Sequence, residues 1–290
     1  MHPIRLKCTA LLLAILAPAG CVQAPPHVDD PARDYAPPRP SPNPLGAARV
    51  VEETYEGQNL VISLPATFDP ASADRYPLVV FFHSYDQDAR QMTKLTRFAR
   101  LSADLGWIAA SGDLAGPSHW GNPRAIAMHQ AMLRRLRERY PIDDRRIYYA
   151  GFSMGGGTAL LAALATKGTP DAPAAIATSQ GWTDLARMRE AKDGMYAASI
   201  DAAYGGALSE SARARTDLVA RAGELVGIPL YMEHGDADQY VPVTHSERLK
   251  AALDAAGVAS TFKIFGGLGH NEATIHEGVI LDFFKDKRRP

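Results

Sequence analysis

Short apolar runs of strand length alternate with amphipathic helical stretches along most of this chain. "YPLVVFFHS", "WIAASGD", "RRIYYAGFS", "AAIATSQG", "IPLYMEHGD" and "STFKIFGG" are near-continuous apolar segments, as strands covered on both faces require. "NLVISLPATF" alternates instead, like a half-buried strand. Between these runs, Met128, Met132, Leu133, Leu136 and Tyr140 recur at helical spacing, with Arg134, Arg135, Arg137 and Glu138 among them. Similar patterns run from Thr158 to Thr166, from Ser246 to Ala256 and from Ile275 to Phe284. Strands separated by helices predict an α/β fold, with a mostly parallel central sheet and helices on both faces. Residues 182–226 hold no clear strand and read as a helical insertion, a candidate part of a lid. In such sheets ligands bind beyond the carboxyl ends of the strands, which is where chemistry is sought.

Three segments are expected: 1–20 as a signal peptide, 21–48 as a tether and 49–290 as the folded domain. "MHPIRLK" supplies Arg5 and Lys7, and "TALLLAILAPAG" supplies an apolar run too short to span a bilayer as a mature helix. Two processing sites compete. Ala17-Pro18-Ala19 fits ordinary signal cleavage and a soluble exported form. "APAGC" resembles a bacterial lipoprotein signal, which would lipidate Cys21 and tether the protein to a membrane; Pro18 stands where leucine is usual. The following segment, "APPHVDDPARDYAPPRPSPNPLGAA", is proline-rich and reads as semi-extended. Cys8 and Cys21 are the two cysteines, so the domain is expected to have neither a disulfide nor a thiolate nucleophile nor a cysteine metal site. A formal net charge of -1 provides no basic surplus for a nucleic-acid backbone.

Gly151-Phe152-Ser153-Met154-Gly155 lies between a predicted strand and a predicted helix, which is the setting of a G-x-S-x-G nucleophile elbow. The serine there sits on a strained turn with its hydroxyl raised, and glycines two residues to either side remove Cβ clashes. No Lys-Ser/Thr pair follows the glycines, which argues against a phosphate loop. A serine needs a base. His270, in the glycine-rich loop "FGGLGHNEA" after the last strand, is best placed. His83, His119, His129, His234, His245 and His276 lie on strands, helices or connecting segments that suit the role less well. The base in turn needs an acid, and "MEHGDADQYVPV" offers Asp236 and Asp238. Trp120 and Trp182 follow strand ends and are candidates for the pocket mouth or for the core.

These segments together resemble an α/β-hydrolase-fold serine hydrolase, and are most similar to the dienelactone-hydrolase and prolyl-oligopeptidase-like esterase branch. The resemblance covers roughly Tyr55 to Phe284. Its acid motif H-G-x-x-D-x-x-V-P matches His234-Gly235-Asp236-Ala237-Asp238-Gln239-Tyr240-Val241-Pro242, which implies Asp238 as the acid and Asp236 as a loop-shaping carboxylate. The order Ser153, Asp238, His270 is the order of this fold. An oxyanion hole is implied at the N–H of Met154 and at one from the loop after an early strand. "LVVFFHSYDQDARQ" resembles that loop, with Ser84 where the family has glycine; the second donor is Tyr85, or alternatively Ser84. The resemblance implies hydrolysis of a small-molecule carboxylic ester through an acyl-enzyme, without metal or organic cofactor. The alternatives are a prolyl-oligopeptidase-type peptidase, whose usual propeller has too little sequence before Tyr55, and a non-catalytic exported binding protein.

Overall fold

The computed structural model describes residues 48–290; the signal, the tether up to residue 47 and Cys21 lie outside the described residues. An eight-stranded sheet runs in the order β1-β2-β4-β3-β5-β6-β7-β8. Its strands are β1 (Arg49–Tyr55), β2 (Gln58–Leu64), β3 (Tyr76–Phe82), β4 (Ile108–Gly112), β5 (Ile142–Phe152), β6 (Ala175–Ser179), β7 (Leu230–Gly235) and β8 (Ser260–Phe265). From β4 through β8 all neighbours pair in parallel, whereas β1–β2 and β2–β4 are antiparallel. The six runs are the six parallel strands, and their crossovers supply the helices; β8, at the sheet edge, is half-exposed rather than covered on both faces as expected.

Strand β1 has no apolar run to announce it. Its residues are half-exposed at the sheet edge, and it is held by a hairpin whose turn, Glu56 and Gly57, has positive φ. The sequence reading also passed over α1 (Gln91–Lys94) and α2 (Phe98–Asp104), both too short to show a helical period.

Alternation along the strands divides the core in two. Val79, Phe81, Tyr148 and Ala150 face α1, α2 and α9 (Glu277–Lys285). Leu78, Val80, Phe82 and Tyr149 face α3 (Pro123–Arg139), α4 (Met154–Thr166) and α8 (Thr244–Ala255). Asn122 caps α3 by accepting the Ala125 N–H, with Pro123 at the first helical position. Helix α4 is buried nearly all round, which explains its lack of a polar stripe.

The 182–226 segment forms α5 (Leu185–Gly194), α6 (Ala197–Tyr204), α7 (Glu210–Thr216) and a 3-10 turn at Ala222–Leu225. Three successive residues with positive φ, Lys192, Asp193 and Gly194, break the helical run at the end of α5.

Candidate active site

Strand β5 ends at Phe152 and α4 begins at Met154, leaving Ser153 alone at the turn with φ 55° and ψ -119°. A non-glycine residue in that region costs roughly 1–3 kcal/mol and persists only where its surroundings enforce it. Here the Ser153 N–H donates to Ser179 O at 3.0 Å, tying the turn to the end of β6. A Cβ on Gly155 would lie 1.9 Å from Phe82 O, so only glycine lets the first turn of α4 cross the end of β3.

The structure brings Ser153, His270 and Asp238 together from three strand ends. Ser153 Oγ lies 2.8 Å from His270 Nε2, and His270 Nδ1 lies 2.7 Å from Asp238 Oδ2. Nδ1–H donates to the carboxylate, so Nε2 is left to accept from the serine hydroxyl. A hydroxyl, an imidazole and a buried carboxylate in line form a nucleophile, a base and the group that orients the base. Asp236 goes elsewhere: its Oδ1 accepts the Gly267 N–H at 2.6 Å and shapes the loop that carries His270.

Asp238 is saturated with donors. Oδ1 accepts the N–H groups of Tyr240 and Val241, both at 2.9 Å, and Oδ2 faces His234 Nε2 at 3.2 Å as well as His270. Burial pushes this carboxyl up, but the hydrogen bonds from His234 and His270, the imidazole charge and the Val241 N–H outweigh it and hold the group well below the usual carboxylate range. His234 is itself fixed, with Nδ1 2.8 Å from Ser246 Oγ and Nε2 2.8 Å from Val241 O. Sequence reasoning treated His234 only as part of a motif, but it supports the acid.

The two expected oxyanion donors can be compared by what their N–H groups bond. Met154 is the first residue of α4, so its N–H has no acceptor within the helix. In the loop after β3 the two candidate donors differ. The Ser84 N–H donates to Gln91 Oε1 at 2.7 Å, whereas the Tyr85 N–H has no partner among the described residues. Ser84 does not need to be glycine, because the positive φ in this loop falls at Asp86. All its polar groups are held: Gln91 Nε2 donates to Ser84 Oγ at 2.7 Å, and His83 Nδ1 lies 2.9 Å from Ser84 O. Gln91 Nε2 also donates to Glu272 Oε1 at 3.1 Å, two residues beyond His270. On the far side, Gln180 Nε2 donates to Gly269 O and Thr274 Oγ1, both at 3.0 Å. Sequence reasoning missed both glutamines; they occur in no motif, and their partners on the His270 side lie far along the chain.

The remaining candidates divide. Trp182 is fully buried against the backbone of Gly157 and donates from Nε1 to Met154 O at 3.1 Å, so it is a core residue. Trp120 is also shielded, but by Tyr85 and Tyr196, whose rings lie 5.6 and 5.2 Å away. His129 and His245 are buried and far from any role at Ser153: His129 bonds Tyr149 and His245 bonds Thr183. His276 stands at the N-terminal boundary of α9 and pairs with Glu233 at 3.1 Å. The His83 and His119 rings meet at 4.8 Å beneath the loop after β3, and burial pushes both below the ordinary imidazole range.

A family model described as the prolyl oligopeptidase family matches residues 126–286. No curated protein sequence matches the chain significantly. Among solved structures the chain is similar to an acylaminoacyl peptidase from Pyrococcus horikoshii, with a TM-score of 0.66 and 15% identity over 84% of this chain and 42% of that one. It is similar also to a ferulic acid esterase, with a TM-score of 0.62 and 18% identity over 82% of this chain and 97% of that one. An S-formylglutathione hydrolase from Agrobacterium tumefaciens gives a TM-score of 0.65 and 13% identity over 82% and 94%. The chain thus spans under half the length of the peptidase structure. At these identities the likenesses concern the fold.

Proposed function

Since the chain belongs to the prolyl oligopeptidase family and is a serine hydrolase of the α/β-hydrolase fold, we propose that it cleaves carboxylic esters through an acyl-enzyme. The observation that carries this reading is the line from Ser153 Oγ through His270 to Asp238, with contacts of 2.8 and 2.7 Å. In the proposed reaction Ser153 Oγ attacks the ester carbonyl carbon while His270 Nε2 takes its proton. The carbonyl oxygen gains the charge and is held by the N–H groups of Met154 and Tyr85. His270 then protonates the departing alcohol, the C–O bond breaks and the acyl group stays on Ser153. Water, deprotonated by the same nitrogen, attacks the acyl carbon; the bond to Ser153 Oγ breaks, His270 returns the proton to Oγ and the acid leaves. Asp238 accepts the hydrogen bond from Nδ1–H throughout and stabilises the imidazolium.

Ester over peptide cleavage is supported by the small esterase and thioester-hydrolase structures, which the chain matches over nearly their whole length. Cleavage of peptide bonds is the second reading, favoured by the acylaminoacyl peptidase likeness. The purified domain, assayed with short p-nitrophenyl esters and with a prolyl-peptide substrate, separates the two. Ser153→Ala is expected to cost on the order of 10⁶-fold in kcat. An unchanged rate in that variant would remove this site, and the absence of both ester turnover and fluorophosphonate labelling would remove the enzyme.

We further propose export with Cys21 as a lipid anchor, on the N-terminal sequence alone. Labelling cells with radioactive palmitate should mark the wild type and spare Cys21→Ser.

A further inference from the structure

The loop after β3 also carries a side chain that the reaction above leaves unused. Tyr85 keeps 37% of its surface exposed, which is high for a ring beside a reaction centre. One face of it is covered. The Trp120 ring lies 5.6 Å away at an interplanar angle of only 34°. Tyr196 stands edge-on to both, 5.3 Å from Tyr85 at 72° and 5.2 Å from Trp120 at 62°. The three rings therefore form a corner, with Tyr85 on Trp120 as one wall and Tyr196 as the other.

The corner adjoins the residues around Ser153. Trp120 N lies against Met154 Sδ, and Met154 follows the serine. Tyr240 lies 5.7 Å from the His270 ring. Burial, the phenols of Tyr240 and Tyr85, and the Asp238 charge together raise the Tyr196 hydroxyl to about 12, as expected for a residue poised between the two sides of the site.

The corner is also rigid. Trp120 Nε1 donates to Ser199 Oγ at 2.6 Å, Tyr204 OH donates to Trp120 O at 3.0 Å, and Asn122 Nδ2 donates to Ala203 O at 2.9 Å. These three bonds tie α6 to the loop between β4 and α3. Ile200, fully buried, and the Arg189–Asp201 pair at 2.7 Å anchor the helix from behind. The 182–226 insertion thus adjoins the site and presents Tyr196 in one orientation.

We propose that this corner is a subsite for a planar aromatic ring carried by the ester, on its acyl or its alcohol side. The inference rests on ester hydrolysis at Ser153. The Tyr85 ring hangs from the residue whose N–H serves the oxyanion, so a group attached close to the scissile carbon reaches it. A fourth ring would lie offset over the exposed side of Tyr85 while meeting Tyr196 edge to face. Both contacts are the arrangements aromatic pairs prefer, and they exceed what buried area alone provides. A saturated ring of similar size buries comparable surface but has no quadrupole to match.

The test compares kcat/KM for methyl benzoate against methyl cyclohexanecarboxylate, and for benzyl acetate against cyclohexylmethyl acetate. Taking each ratio in a variant relative to the wild type cancels intrinsic ester reactivity. Tyr196→Leu is expected to lower one of the two ratios about three- to tenfold, and Tyr196→Phe to retain it. Loss in the first pair assigns the ring to the acyl side, and loss in the second to the alcohol side. Tyr85→Leu, which keeps the backbone N–H, repeats the comparison should Tyr196→Leu fail to fold. Ratios unchanged in both pairs, with fluorophosphonate still labelling Ser153, overturn the subsite alone. No turnover of any ester and no labelling removes the hydrolase reading, and the subsite with it.

Discussion

Gln91 grips Ser84 at both of its polar ends: Oε1 accepts the Ser84 N–H, and Nε2 donates to the Ser84 hydroxyl, each at 2.7 Å. This pairing occupies both polar groups of Ser84, while the Tyr85 N–H has no partner among the described residues. Gln91→Leu releases Ser84 and unpins Glu272. The expected result is a fall in kcat of about ten- to a hundredfold, short of losing an oxyanion donor outright, with KM little changed. Steady-state kinetics on p-nitrophenyl acetate check it. A raised KM at unchanged kcat would show that Gln91 serves substrate binding instead.

The two carboxylates of "HGDAD" should respond very differently to amide substitution. Asp238→Asn removes an acceptor facing His270 Nδ1 and permits the wrong tautomer, so kcat should fall on the order of 10⁴-fold. Among the described residues the Asp236 carboxylate holds only the Gly267 N–H, and Asp236→Asn should cost much less. Equal losses in the two variants would contradict the assignment of the acid.

Acid should weaken the fold through two histidines remote from the chemistry. Burial, with Arg137 nearby, lowers His129 to about 3, and burial lowers His245 to about 4 despite Asp184. The folded protein refuses protons that the unfolded chain takes up below its ordinary value of 6.5. Stability is therefore full above that pH and falls as pH drops toward about 4 for His245 and about 3 for His129. Each group contributes a slope of about 1.4 kcal/mol per pH unit in its window. Urea unfolding at several pH values between 7 and 5 should show this slope, and His129→Phe should reduce it by about one proton.

Gly157 tests the packing behind the elbow. A Cβ there would lie 2.2 Å from the buried Trp182 indole. Gly157→Ala is expected to destabilise by roughly 1–3 kcal/mol through overpacking. Thermal unfolding measures it; an unchanged Tm would mean that α4 shifts freely on β6.

Much of this was legible in the sequence because it is encoded locally. Apolar runs of strand length specify the six parallel strands, and their order with helices between them specifies the crossovers. The G-x-S-x-G turn, with no room for a Cβ at Gly155, locates Ser153, and "GLGHNE" at a strand end locates His270. Choosing Asp238 over Asp236 came from the family motif, since both carboxylates follow β7 in the same loop. Other features required the tertiary structure. Half-exposed β1 has no apolar signature, and its partner strand defines it. Trp120 and Trp182 look alike at strand ends, yet one lines the ring corner and the other fills the space over Gly157. The bond from Gln91 to Glu272 joins residues 181 apart in the chain. Segments around Tyr85, Trp120 and Tyr196 meet only once the sheet has been covered. Local patterns determine which elements form and where a strained residue can sit. Contacts between distant side chains depend on how those elements pack, and no single stretch of sequence carries that information.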